Sequence, residues 1–309
     1  MNNGHSSRIE KTDRYSKGDM NDRIILGDCL SVLKSIPSNS INLIVTSPPY
    51  ADCRKNTYGG THPDKYADWL LPITIELQRV LNPRGTFILN IKEKAYNGER
   101  HLYVLDLIVR MRKAGWLWTE EFIWHKKNCY PGKWPNRFRD AWERCLQFNK
   151  EKSFDMYQNA VMVPVGDWAK ARLKNLSQTD MRRDDSKVKS GFGKNVSNWL
   201  GREFVYPANV LHFGTECGNK DHSAAFPIAL PEWFIRLFTK PGDLVLDPFI
   251  GSGTTAVAAK SLDRHYLGID ISSKYVKLSE KAVRNIPPRV MARLNGHSDT
   301  RTHSEVYQR

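Results

Sequence analysis

Thr46-Ser47-Pro48-Pro49-Tyr50 stands at the end of an apolar run, INLIVT. Two adjacent prolines remove two backbone donors and hold the chain extended, so the Ser47 and Pro48 carbonyls are expected to point outward as a rigid pair of acceptors. Beside the Ser47 hydroxyl and the Tyr50 ring, such a pair suits an exocyclic amino group, with the ring stacked on its base. A Pro-Pro strand terminator with a core tyrosine is the structural alternative. A second cluster, Asp247-Pro248-Phe249-Ile250-Gly251-Ser252-Gly253-Thr254-Thr255, follows the apolar Leu244–Leu246 and precedes AVAAKSL. Glycines at a strand-to-helix turn let the backbone close tightly and a ligand approach the main chain. Seventeen residues beyond Gly253, Asp270 ends HYLGID, where a carboxylate commonly binds two ribose hydroxyls. By itself this pattern suits a nicotinamide cofactor, another nucleoside cofactor, or a plain turn. Asp28 follows the run RIIL, as an acceptor at a loop or as the N-cap of a helix beginning near Leu30.

The elements that must hold these residues are short strands alternating with helices. Strand-type runs occur at 24–26, 41–46, 86–91, 121–124, 244–246 and 265–269, and helical patterns at 66–81, 102–114, 230–238, 254–261 and 272–285. Runs such as INLIVT and DLVLD are apolar throughout, as expected of strands covered on both faces. The pattern predicts an α/β fold with a mostly parallel, doubly wound sheet.

The chain has 309 residues, with 47 Lys and Arg against 33 Asp and Glu, a formal charge of +14. At 40% hydrophobic content it is neither a disordered nor a collagen-like chain, and the charge calls for a polyanionic partner, foremost nucleic acid. Residues 125–205 hold +8 of the +14 and are rich in Trp, Asn, Ser and Gly, which fits a surface following a phosphate backbone, or a solvated insertion. No apolar run reaches the ~18 residues of a membrane span or resembles a signal-peptide core. The five cysteines include no CxxC pair and the histidines no paired spacing, so reduced thiols and no metal are expected, in a cytoplasmic protein.

TSPPY followed by DPFIGSGTT resembles the beta group of amino-methylating DNA methyltransferases, which use S-adenosylmethionine. The resemblance spans about residues 23–286 and takes in Gly27-Asp28, the stretch Arg79–Asn90, HSAAFP at 222–227, KPGDLVLDPFIGSGTT and GID at 268–270. It implies a Rossmann-like methyltransferase fold with a basic target-recognition insert. Residues 1–22 are then a mobile arm, 23–150 the catalytic half, 151–220 the target-recognition region, 221–286 the cofactor-binding half, and 287–309 a flexible tail. It further implies that Ser47, Pro48, Pro49 and Tyr50 are catalytic. Asp247, Phe249, Gly251, Gly253 and Thr254 would line the methionine pocket, Asp270 hold the ribose, Asp28 the adenine amino group, and Phe226 and Pro227 close the site. Lys126, Lys127, Arg137 and Arg139 fall where members of the group place loops that touch DNA, with a solvated basic face as the alternative.

A base inside a duplex cannot reach such a site, so the target is expected to flip out onto Tyr50. Serine at the first position of SPPY resembles enzymes acting on N4 of cytosine; those acting on N6 of adenine usually carry Asp or Asn there. Methylation at cytosine C5 would need a Pro-Cys pair, which is absent. The expected role is protection of DNA beside a restriction nuclease. Duplex DNA is the expected partner, with no membrane and no metal, and a homodimer left open. In a bacterial source the enzyme would be nucleoid-associated. A non-catalytic DNA-binding or nicotinamide-binding module is the remote alternative, which would not require TSPPY.

Overall fold

The computed structural model describes residues 16, 18–52, 60–129, 136–177, 200–215 and 226–286. It forms two compact units, residues 1–156 with 209–309, and residues 157–208. In chain order the strands are β1 (Arg23–Leu26), β2 (Ile41–Thr46), β3 (Leu81–Ile91), β4 (Ala95–Tyr96), β5 (Glu99–Arg100), β6 (Leu117–Lys126), β7 (Trp142–Asn149), β8 (Val163–Pro164), β9 (Phe204–Val205), β10 (Val210–Phe213), β11 (Leu244–Asp247) and β12 (His265–Asp270). The α-helices are α1 (Cys29–Ser35), α2 (Pro63–Val80), α3 (Tyr103–Lys113), α4 (Asp167–Lys174), α5 (Ala229–Phe238), α6 (Thr254–Ser261) and α7 (Ser273–Arg284).

The larger unit is built on an eight-stranded sheet ordered β1-β12-β11-β2-β3-β7-β6-β10. Its pairings are parallel except those of β7, which runs antiparallel to β3 and β6. β11 and β2 lie at the centre and are buried almost throughout, as their unbroken apolar runs require when helices cover both faces. From β11 the chain passes through α6 to β12 on one side, and from β2 through α2 to β3 on the other. Right-handed crossovers in opposite directions put these two helices on opposite faces and open a crevice at the carboxyl ends of β11 and β2. One helical layer is α1, α2 and α3, the other α5, α6 and α7. The first covers a core of Leu33, Tyr66, Leu70, Phe87, Leu107, Trp116 and Phe148; on the other face Phe122 meets Trp233 and Phe234 edge-on at 5.3 Å.

Three expectations change. The arm drawn through residue 22 gives way at its inner end to a 3-10 turn, Gly18–Met20, that buries Met20 completely in the core, because an apolar side chain beside a sheet edge gains more by burial than by solvation. Its outer part, 1–15 and 17, and the tail 287–309 lie outside the described residues. β7 and β10, not foreseen as strands, complete the sheet. The smaller unit, 157–208, is narrower than the region 151–220, since β10 returns to the larger unit beside β6 with His212 opposite His125. By itself this unit contains the pair β8–β9, with Val163 opposite Val205, and α4.

Candidate active site

The two chemistry-bearing clusters end neighbouring strands. Thr46 closes β2 and Asp247 closes β11, and the Thr46 Oγ1 donates to Asp247 Oδ1 at 2.6 Å. Asp247 also accepts from the Phe249 backbone N–H at 3.1 Å and, on Oδ2, from Thr255 Oγ1 at 2.7 Å. At 2% exposure the carboxyl is pushed up to about 6 by burial, against the pull of these donors. Asp247, expected as a residue of the methionine pocket, also accepts from both ends of the glycine turn, as a buried carboxylate must be surrounded by donors.

The turn above it is left-handed at Gly251 (φ 52°) and Gly253 (φ 92°). A Cβ on Gly253 would stand 2.7 Å from Ser279 Cβ and 2.8 Å from its Cα, so only glycine lets α6 start against α7. The Gly251 N–H donates to Asp270 Oδ2 at 3.1 Å, and the Ser272 N–H to Oδ1 at 2.8 Å. Burial raises the Asp270 carboxyl, these two amides opposing it. Each oxygen retains a second lone pair for a hydroxyl. Phe249 is half-buried, its ring 5.8 Å from that of Trp69, and Thr254 begins α6 with its hydroxyl 3.4 Å from that of Ser252. Phe226 and Pro227 are buried at the entry to α5, where the Pro227 carbonyl accepts from the Leu230 N–H at 2.9 Å.

Asp28 stands at the end of β1. Its Oδ1 caps α1 through the Ser31 N–H at 3.0 Å and Ser31 Oγ at 2.9 Å, so the capping alternative is realised while the residue remains exposed. The preceding Gly27 N–H binds the Asp270 carbonyl at 3.0 Å. Sheet order thus sets Asp28, Asp270, the glycine turn and Ser47 in a row along one edge, in steps of about 5 Å.

At the end of β2, Pro48 is buried and Ser47, Pro49 and Tyr50 are half-buried. The Pro49 carbonyl accepts from Tyr66 Oη at 2.9 Å, fixing the loop on α2. The Tyr50 hydroxyl lies 2.6 Å from Glu143 Oε2, 3.3 Å from Asn90 Oδ1 and 3.4 Å from Ser47 Oγ. Burial, and then the Glu143 carboxylate, push the phenol well above its ordinary range. Lys126 Nζ pairs with Glu143 Oε1 at 2.6 Å. Lys126, expected at the DNA surface, is drawn inward and half-buried over the Trp124 ring, because the β6–β7 pairing brings the carboxylate within its reach. Sequence reasoning missed Glu143, Asn90 and Tyr66: nothing in their local spacing ties them to residues 17 to 93 positions away.

The DNA methylase family model matches residues 41–281, most of the chain. The type II methyltransferase M.PvuII of Proteus hauseri is 30% identical, with 90% of both chains covered. The chain belongs to the DNA methylase family. M.BglII of Bacillus subtilis is 28% identical over 86% of this methylase and 69% of its own length. Among solved structures, the PvuII DNA methyltransferase, named as cytosine-N4-specific, matches with a TM-score of 0.63 and 26% identity, covering 89% of this chain and 91% of its own. A Thermus thermophilus protein solved with S-adenosyl-L-methionine matches at 0.56 and 26%, covering 86% and 95%.

In this methylase Lys127, Arg137 and Arg139 lie in the loop between β6 and β7, and all three are exposed. The Arg139 guanidinium donates to the Cys129 carbonyl at 3.3 Å, and Phe138 between the two arginines is 98% exposed. Lys126, Asn128, Arg137, Phe138, Arg139 and Thr215 line a cleft of ≈380 Å³, and Lys126 also belongs to the Tyr50 chain. Asp140 ties the loop's inner end to Lys92 at 3.1 Å and Arg100 at 2.9 Å. Among the described residues no helix is long and apolar enough to cross a membrane. Burial pushes the Cys29 thiol up to about 12 and raises that of Cys145 as well.

Proposed function

We propose that this methylase transfers a methyl group from S-adenosylmethionine to the exocyclic amino group of a flipped base in duplex DNA, cytosine N4 being the favoured target, as the modification partner of a restriction nuclease. The observation that carries the reading is the pair of clusters on β11 and β2 across the sheet's switch point, joined by the Thr46–Asp247 hydrogen bond. The donor set suits the cofactor: an exposed carboxylate for an adenine amino group at Asp28, an acceptor for ribose hydroxyls at Asp270, and a glycine turn beside Phe249 for the methionine part. Phe226 and Pro227 would close that end, beside Thr254.

S-adenosylmethionine supplies a methyl already activated on a sulfonium sulfur. The amino nitrogen is a poor nucleophile, its lone pair delocalised into the base. Acceptors at Ser47 and the Pro48 carbonyl draw on its N–H groups and stabilise the positive charge that develops as the N–C bond forms. Pro49 and Tyr66 keep those acceptors fixed, so the residues that follow β2 contribute chiefly alignment. Tyr50 offers its ring to the flipped base. Lys127, Arg137 and Arg139 supply phosphate contacts, and the unit 157–208, within the basic stretch, supplies target recognition.

Names support the target base: the PvuII enzyme is called cytosine-N4-specific, and this chain carries serine at the head of SPPY. Mass spectrometry of nucleosides from duplex DNA incubated with the enzyme and cofactor is expected to show N4-methyldeoxycytidine. N6-methyldeoxyadenosine alone overturns the base, and neither product overturns the activity.

A further inference from the structure

We propose that Glu143 is a positioning residue that sets the direction of a hydrogen-bond chain ending at Ser47, and so selects a base with an amino group over one with a carbonyl at the same ring position. The inference rests on the methyltransferase reading above and concerns how that site tells its target from a keto base.

Glu143 lies on β7, 7% exposed, with Lys126 Nζ at 2.6 Å on one oxygen and Tyr50 Oη at 2.6 Å on the other. Paired with an ammonium, the carboxylate only accepts. Asn90 Oδ1 is a second acceptor at 3.3 Å, and its amide orientation is fixed by Nδ2 donating to the Arg144 carbonyl at 3.1 Å. Tyr50 has one proton, and both of these neighbours demand it. The charged acceptor at the shorter distance takes it.

The phenol oxygen is left to accept from the remaining neighbour, Ser47 Oγ, at 3.4 Å. With its proton turned toward Tyr50, the Ser47 hydroxyl presents lone pairs to whatever enters the site. An amino group donates into them. A carbonyl, as in uracil, would set lone pair against lone pair, leaving buried polar groups unpaired. Such mismatches are the kind that sites discriminate most strongly. No proton needs to travel along the chain; its polarity does the selecting.

The test uses the full-length enzyme, S-adenosylhomocysteine, and two duplexes of the sequence that the wild type methylates, one with the target cytosine and one with uracil in its place. Binding is read by fluorescence anisotropy, and the intrinsic difference between the duplexes cancels when variants are compared with wild type. Glu143→Gln offers Tyr50 an amide donor, and Tyr50→Phe cuts the chain while keeping the ring. Each is expected to lower the cytosine-over-uracil preference by about ten-fold or more, at unchanged S-adenosylhomocysteine affinity. The two effects should not add, because the variants break one chain. An unchanged preference in both variants, or in Tyr50→Phe if Glu143→Gln fails to fold, overturns the role of Glu143. Wild type that transfers no methyl group to any duplex overturns the parent reading instead, and this inference with it.

Discussion

A carboxylate with 2% exposure, as at Asp247, is costly to ionise even with three donors around it. Its pKa rises on folding from 3.8 to about 6, so the folded state holds the proton more tightly than the unfolded chain. The stability this confers is fully present below pH 3.8 and is lost as pH rises through about 6. Urea unfolding should therefore show wild type losing on the order of 2–3 kcal/mol relative to Asp247→Asn between about pH 4 and pH 8; a constant difference would refute it. Ser47 has a different task in the proposed mechanism, where its oxygen would act on the reacting nitrogen. Ser47→Ala should lower methyl transfer by about 10²-fold, as loss of one preorganised electrostatic partner commonly does. Affinity for S-adenosylmethionine, measured by calorimetry, should stay within about two-fold, because the residues proposed to hold the cofactor follow other strands.

Helix α6 must begin where β11 ends, and Gly253 is the residue that permits the turn. Alanine there would combine left-handed strain with a clash against Ser279 on α7, neither of which a rotamer change relieves. Gly253→Ala should cost about 2–4 kcal/mol in denaturant unfolding and weaken cofactor binding, since Gly251 loses its seat on Asp270. Unaltered unfolding would show that α7 yields freely. Legibility in the sequence also varied by element. β2 and β11 were plain because both faces are covered and their runs are apolar. β7 was hidden because its sequence, WERCLQFN, carries Glu143, Arg144, Gln147 and Asn149. Their polarity is answered across strands: Asn149, with no exposure, binds Thr86, Gly85 and Thr119, and Arg144 pairs with Glu93 and Glu121. Periodicity registers burial of apolar residues and is blind to polar ones matched by distant partners.

For the whole molecule, the surplus of +14 predicts a DNA affinity that falls as salt rises, with a slope in proportion to the phosphates neutralised. The internal pairs of Lys126 and Arg144 reduce the charge available for that purpose within residues 125–205. Arg137 and Arg139 remain exposed on their loop. Replacing both with alanine should reduce the slope of log K against log salt by about 2, measured by anisotropy over a salt series. A slope equal to that of wild type would remove these residues from the phosphate contacts. Met20 makes the same point about context: polar neighbours in sequence suggested an arm, whereas the sheet edge provided an apolar place for it.

The sequence by itself determined the parallel α/β class, the two clusters at strand ends and their order along the chain, because each depends on local chemistry: apolar runs, a Pro-Pro stop, and glycines at a strand-to-helix turn. Only the tertiary structure decided which strands are neighbours. That adjacency joins Thr46 to Asp247 across 201 positions, at the end of the strand that leads into the glycine turn, and brings Glu143 to Tyr50 across 93. Hydrogen bonds between strand ends depend on distances in space, and strand order is not written in the residues that flank any one of them.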